Sequence, residues 1–364
     1  AAHGVIVAGP GPVAQREARA PVAALARRLG WPVAAEAGSQ LRFAASSPAP
    51  TPLELLVGPA MPEVEFVLVV GSWPTSMAWS RALASRTGTV VWVVCEHGWV
   101  DPLNRATGIV VGDVATSLRG VVERLGPGEP RDPTWLPAWS AAARHVARVL
   151  EEAEAEERAR VTLSETVAVR AAVRALPEGG WLALGNSLAI REVDLACPSH
   201  GVTINVLTQR GVSGIDGNVS GAAGAALATG EALLLVTGDV AFQHDLGGLA
   251  TAAAVRTPLV IVVLNNRGGR LFELLPLVDG AVSGAEVERL FTAPQTLDVV
   301  QVARAFGVGG ERVAIAEEVE AAVRGALARG GCTVIEAAIT AGDLRQRRRA
   351  LAAAAQAGWQ AVPR

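Results

Sequence analysis

The sequence predicts an α/β protein built from two doubly wound, parallel-sheet domains, and three observations carry that prediction. Apolar runs of strand length recur without polar alternation, as expected of strands buried on both faces. Helix-length stretches separate most of them, the β-α-β-α order that builds parallel sheets. A Pro- and Gly-rich stretch from Gly126-Pro127-Gly128-Glu129-Pro130 to Pro137 divides the pattern in two. The 364 residues are enough for two cores.

The first domain is expected over 1–130. Val5-Ile6-Val7-Ala8 is its first strand and Gly9-Pro10-Gly11-Pro12 the turn after it. A helix from about Pro21 to Leu29 has proline in its first turn. Phe66–Val70, Val90–Val94 and the short Ile109–Val111 complete the strands. Residues 131–160 read as a linker and a connecting helix that starts near Trp139, with Val146, Val149, Leu150 and Ala153 at helical spacing. The surrounding Glu151, Glu152, Glu154, Glu156 and Glu157 read as a solvated face. The second domain is expected over 161–364. Thr162-Leu163-Ser164-Glu165 has the form of a helix cap. Strands follow at 181–184, 204–207, 232–237, 259–264 and 333–337, with an amphipathic helix carrying Val319, Val323 and Leu327 before the last. Residues 343–364 read as a tail helix whose Arg345-Gln346-Arg347-Arg348-Arg349 run is a solvated start.

Composition narrows the function classes. A net charge of -3 gives no basic footprint for nucleic acid. Half the chain is hydrophobic, yet no apolar run has membrane-spanning length. Arginine supplies the whole Lys/Arg count of 32. Cys95, Cys197 and Cys332 have neither metal nor redox spacing, which suits a reducing, cytoplasmic setting. The chain begins at Ala1, almost directly on a strand, and is expected to be a piece of a longer protein.

The chemistry concentrates at two strand ends. Gly238-Asp239 follows one buried strand and Asn265-Asn266-Arg267-Gly268-Gly269 the next, with a helix-length crossover between them. A carboxylate and a carboxamide then emerge at the same sheet edge, where open α/β sheets bind ligands. Hard oxygen donors there suit Mg²⁺ held to a diphosphate. Gly-Asp alone is an ordinary strand-end turn; the pairing with Asn265-Asn266 is what gives it meaning. Gly185-Asn186-Ser187 and Gln209-Arg210-Gly211-Val212-Ser213-Gly214-Ile215-Asp216-Gly217 reach the same rim.

The paired arrangement resembles the thiamine diphosphate motif. That likeness implies Asp239, Asn266 and the Gly268 carbonyl as ligands of Mg²⁺ (or Mn²⁺), with two phosphate oxygens and a water completing an octahedron. Gly238, Gly268 and Gly269 would let the backbone approach the phosphates, and Ser187 and Ser213 would add polar contacts. Ile215 would wedge between the cofactor rings and hold them bent; the competing reading of 213–217 is a helix-capping turn. Arg191 and Arg210 are candidates to pair bidentately with substrate carboxylates, against the reading that each is a surface residue. Phe272 and Leu275 could wall the site apolar or belong to the core.

Gly185-Asn186-Ser187-Leu188 with Arg191, Arg210 through Gly217, and Asn265 through Phe272 with Leu274-Leu275-Pro276 resemble the MenD family. These are the 2-succinyl-5-enolpyruvyl-6-hydroxy-3-cyclohexene-1-carboxylate synthases of menaquinone biosynthesis. The specific likeness covers roughly 180–280, with a weaker one at Gly71-Ser72 and Asp101-Pro102. It implies that the first domain is the family's central domain and the second its diphosphate-binding domain. It also implies a thiamine diphosphate-dependent transferase that decarboxylates 2-oxoglutarate and adds the resulting succinyl-semialdehyde unit to isochorismate. Asn186, Ser187, Arg191, Arg210, Phe272 and Leu275 would face these polycarboxylate substrates. The full-length form would be a homo-oligomer, a homodimer or larger.

Two departures accompany the resemblance. The glutamate that activates the cofactor's N1′ belongs to an N-terminal pyrimidine-binding domain, which nothing before Ala1 provides, so no catalytic residue for that step is expected here. The family's basic pair after the Gly-Ser strand end is replaced by Trp73-Pro74-Thr75-Ser76-Met77-Ala78. An acetohydroxyacid synthase or 2-oxoacid decarboxylase type of thiamine enzyme is the alternative, disfavoured by the two arginines. A non-catalytic cofactor-binding subunit is another.

Overall fold

The computed structural model describes residues 1–44, 52–275, 282–340 and 342–360. It divides into two compact units. One comprises Ala1–Glu151, Cys197–Thr203 and Ala350–Arg364; the other comprises Glu152–Ala196 and Ile204–Arg349. The division falls later than the Pro/Gly stretch predicts. The helix Trp135–Arg160 starts earlier than expected, with Pro137 in its first turn, where its missing N–H costs nothing. Trp135 then donates from Nε1 to Gly4 O at 2.7 Å and meets Trp139 edge-on at 5.9 Å, so the start of this helix belongs to the first unit.

The first unit is a five-stranded parallel sheet of order β2-β1-β3-β4-β5. The strands are β1 Gly4–Ala8, β2 Val33–Ala35, β3 Phe66–Val70, β4 Val90–Cys95 and β5 Gly108–Val111. The three-residue β2, Val-Ala-Ala, has too little β-branched character to stand out in the sequence. Strand order reverses between β1 and β3, where α/β sheets usually leave a crevice. Here the buried Gln15 fills it: a Cβ on Gly11 or Gly71 would lie 2.2 or 2.3 Å from its side-chain amide oxygen.

The second unit is a six-stranded parallel sheet of order β10-β11-β9-β8-β6-β7. Its strands are β6 Trp181–Leu184, β7 Asn205–Thr208, β8 Leu233–Gly238, β9 Leu259–Asn265, β10 Gly309–Val313 and β11 Cys332–Ala338. The edge strand β10, Gly-Gly-Glu-Arg-Val, was not foreseen because glycine and charge break any strand pattern. Helix Asn218–Thr229 lays Val219, Ala222, Ala223 and Ala226 against Leu233, Leu235, Ile261 and Val263. Those alanines let the helix approach the sheet closely. Among the described residues no helix is long and apolar enough to cross a membrane.

Two expectations about polar residues are corrected, and the helix cap expected at 162–165 is found at Ser164. Glu154 does not belong to a solvated face: its side chain is buried and bonded to Arg170 and Arg174. The arginine run near the C-terminus does not simply face water, because Arg347 and Arg348 reach inward to the buried Glu165 and Glu192. The cap of helix Glu165–Arg174 is Ser164, whose hydroxyl accepts from Val167 N, which leaves Glu165 for another role.

Candidate functional site

In the second sheet the chain leaves β6 toward β7 on one side and β8 toward β9 on the other. The loops after β6 and β8 therefore part at the carboxyl edge and leave a crevice between them. The register pairs Gly238 with Leu264, so Asp239 and Asn265 leave the sheet nearly level. Asp239 Oδ2 accepts the Gly268 N–H at 2.7 Å, which joins the two motifs directly. Its Oδ1 accepts the Val240 N–H at 2.8 Å.

Glycine is required at 268 for a reason the sequence does not show. Its φ is 122°, and a Cβ there would sit 2.2 Å from Thr292 O. The Gly269 N–H donates to the same carbonyl at 2.7 Å, so residues 268–269 lie against the 288–292 turn. Arg267, beside them, also holds a left-handed φ of 63°. The Gly268 carbonyl accepts from Arg270 N at 2.9 Å and keeps a second lone pair.

Asp239 is buried, and among the described residues no cationic side chain bonds to it. Burial pushes its carboxyl up to about 6, against the lowering effect of the Val240 and Gly268 N–H groups. Asn266 donates from Nδ2 to Glu165 Oε1 at 2.7 Å. Its Oδ1 has no hydrogen-bond partner among the described residues. Glu165 is itself held by Arg347 at 2.6 Å. Its burial, then the charge of Glu192, raise its pKa; Arg347 and Asn266 oppose them. Among the described residues no group of three His, Cys, Asp or Glu side chains could hold a metal ion. One carboxylate, one carboxamide and one carbonyl are instead the donor types that suit a hard cation taking its other oxygens from a diphosphate and water. The residues fit that group. A cleft of about 480 Å³ opens beside it, lined by Glu165, Asn266, Arg267, Arg270, Thr340 and Asp343 among others, though not by Asp239.

The remaining candidates sort by what they touch. Asn186 is buried, and both ends of its amide are engaged: Nδ2 donates to Gly214 O at 2.7 Å and Oδ1 accepts from Arg210 Nη1 at 3.3 Å. It ties the loop after β6 to the loop after β7, so any influence on a solute passes through those partners. Arg210 Nε is buried with no hydrogen-bond partner among the described residues. Ser187 holds a left-handed φ of 65°, and its carbonyl accepts from Arg191 Nη1 at 2.5 Å. Ser213 is exposed and Ile215 half-buried, and Asn218 fastens their loop by donating to Ile215 O at 2.6 Å. Phe272 and Leu275 are not core residues: they are 37% and 39% exposed, with the Phe272 ring 5.7 Å from that of Phe291. Pro276 of the sequence motif, with residues 277–281, lies outside the described residues.

A family profile described as "Thiamine pyrophosphate enzyme, C-terminal TPP binding domain" matches residues 200–337. Asp239, Asn266 and Gly268 fall inside that match. Over most of its length this chain is similar to 2-succinyl-5-enolpyruvyl-6-hydroxy-3-cyclohexene-1-carboxylate synthases. It is 38% identical to the synthase of Sorangium cellulosum, over 94% of this chain and 58% of that protein. Identity to the Rubrobacter xylanophilus synthase is 35%, over 92% of this chain and 58% of the relative. For the Halobacterium salinarum synthase it is 31%, over 97% and 59%. The chain thus spans little more than half the length of the curated relatives it matches. The fold is also that of an X-ray structure from Mycobacterium smegmatis, of a protein assigned as thiamin diphosphate-dependent. That match has a TM-score of 0.62 at 22% identity, over 92% of this chain and 61% of the other. The sequence missed Glu165 and Arg347 as neighbours of Asn266. A glutamate at a helix start and an arginine run both have ordinary surface readings, and only the fold brings them together.

Proposed function

We propose that this chain forms the central and diphosphate-binding portion of a thiamine diphosphate- and Mg²⁺- (or Mn²⁺-) dependent transferase. The whole enzyme decarboxylates 2-oxoglutarate and adds the succinyl-semialdehyde unit to isochorismate, in the cytoplasm and as a homo-oligomer. The hydrogen bond from Gly268 N to Asp239 carries this reading, since it joins the two motifs that supply the cation's donors. Asp239, Asn266 Oδ1 and the Gly268 carbonyl hold the cation. Gly238, Gly269, Ser187 and Ser213 border the diphosphate, and Ile215 supports the bent cofactor. When bound, the cofactor supplies the electron sink for loss of CO₂ from a 2-oxo acid. Arg191 and Arg210 orient substrate carboxylates, Asn186 steadies Arg210, and Phe272 and Leu275 exclude water from the reacting end. The relatives' further length is where the family resemblance puts the pyrimidine-binding domain and the glutamate that activates N1′.

The test is turnover by the chain extended to the length of its relatives. Product from 2-oxoglutarate and isochorismate, lost in Arg210→Met, supports the assignment. Turnover of pyruvate in their place would assign a different thiamine enzyme.

A further inference from the structure

A carboxamide offers oxygen at one end and nitrogen at the other, and only the oxygen can bind a cation. The proposed cation site needs the oxygen end of the Asn266 amide. Its Nδ2 donates to Glu165 Oε1 at 2.7 Å. The other oxygen, Oε2, accepts from Arg347 Nη2 at 2.6 Å. With Oε2 accepting from Arg347, the ionised Glu165 carboxylate offers Asn266 only an acceptor oxygen, so the amide presents nitrogen to Glu165 and turns its oxygen away from it. Next door, Glu192 Oε1 accepts from Arg348 Nη2 at 2.7 Å and Oε2 from Thr166 Oγ1 at 2.7 Å, so the second buried carboxylate has its own partners. Glu165 is thus left to its two contacts.

We infer that Glu165, held by Arg347, is a positioning residue that fixes the side-chain amide of Asn266 with its oxygen toward the cation. This rests on the cation reading of Asp239 and Asn266, yet it concerns groups that make no contact with the cation themselves. Outer partners of this kind commonly alter metal affinity by about 10–100-fold when replaced.

Glu165→Gln tests the polarity of the relay, because it keeps the shape and changes the chemistry. Arg347 still demands an acceptor, so the new side chain turns its oxygen there and its NH₂ toward Asn266. The Asn266 amide must then flip and offer nitrogen to the cation. Adding Arg347→Met removes the demand and lets the glutamine accept from Asn266 again. Two readouts apply to the folded chain, with far-ultraviolet circular dichroism confirming the fold of each variant. One is Mn²⁺ binding in the presence of thiamine diphosphate, followed by electron paramagnetic resonance. The other needs no metal: the side-chain amide resonances of Asn266 in asparagine-labelled protein. Expected are about 10–100-fold weaker Mn²⁺ binding in Glu165→Gln, a shifted Asn266 amide signal, and recovery of both in Glu165→Gln/Arg347→Met. A general loss of structure would worsen, not recover, with the second substitution. Parental behaviour of Glu165→Gln, or a double variant no better than the single, overturns the inference. If the parent chain binds no Mn²⁺, the proposed function fails, and the amide resonances alone decide the orientation.

Discussion

Glu154 and Asp239 are both carboxylates buried in the second unit, and they differ in every other electrostatic respect. Glu154 is surrounded by guanidinium groups: Arg170 Nε lies at 2.9 Å and Arg174 Nη2 at 2.5 Å. Burial acts to raise its pKa, but the hydrogen bonds and charges of Arg174 and Arg170 outweigh it and hold the carboxyl down at about 2. Among the described residues Asp239 has only backbone N–H groups as hydrogen-bond partners, the charge of Arg270 acts weakly on it, and burial holds it up at about 6. One carboxylate is neutralised within the fold, and the other is left for a positive charge from outside. That contrast separates a structural ion pair from a binding site more sharply than burial or residue type does.

Removing each carboxylate gives the largest expected difference. Glu154→Ala leaves Arg170 buried without its partner and is expected to cost about 3–5 kcal/mol of stability. Asp239→Asn removes a charge the metal-free fold does not compensate, so its unfolding midpoint should hold or rise. Urea unfolding of the two variants without metal checks this; a large loss in Asp239→Asn would erase the distinction.

The pH dependences should have opposite signs. Glu154 lies below its unfolded value of 4.5, so its contribution is present above that pH and is lost as pH falls through about 2. Asp239 lies above its unfolded value of 3.8, so the metal-free chain loses stability as pH rises from there through about 6. At most the effects are about 3.5 kcal/mol for Glu154 and about 3 kcal/mol for Asp239, taking about 1.4 kcal/mol per pKa unit. A cation must displace the Asp239 proton, so Mg²⁺ affinity should weaken below pH 6. Unfolding free energies measured against pH in Asp239→Asn and Glu154→Gln assign the two slopes.

A smaller effect is expected from Gly268→Ala, whose methyl would meet Thr292 O. It should destabilise by about 1–3 kcal/mol and displace the N–H that Asp239 accepts. Thermal unfolding without metal reads the first, and cation binding the second. Phe272→Ala should change stability least, by about 0.5 kcal/mol or less, because the side chain is partly exposed. An effect there belongs in the KM for the 2-oxo acid of the extended enzyme.

Much of this was legible in the sequence. The runs at 233–236 and 259–264 are so uniformly apolar that only buried parallel strands suit them, and the polar residues just past their ends mark the site. What was hidden is what the fold, rather than local pattern, decides. The edge strands β2 and β10 exist because neighbours pair with them, despite weak strand character. Glu154, Arg347 and Arg348 are charged residues in helical stretches, which the sequence assigns to solvent, and Glu165 reads only as part of a helix cap. Glu154 meets Arg170 and Arg174 only 16 and 20 positions on, in the next helix, whereas Arg347 and Glu165 meet across 182 positions. The need for glycine at 268 was visible, but its cause, the Thr292 carbonyl, was not.

The central claim is that Asp239 and Asn266 together grip a cation that carries diphosphate oxygens. Titrating Mn²⁺ into the chain with and without thiamine diphosphate, alongside Asp239→Asn, tests it most directly. The account predicts saturable binding that strengthens with the diphosphate and vanishes in the variant. Equal binding by parent and variant, or none by the parent, would contradict it.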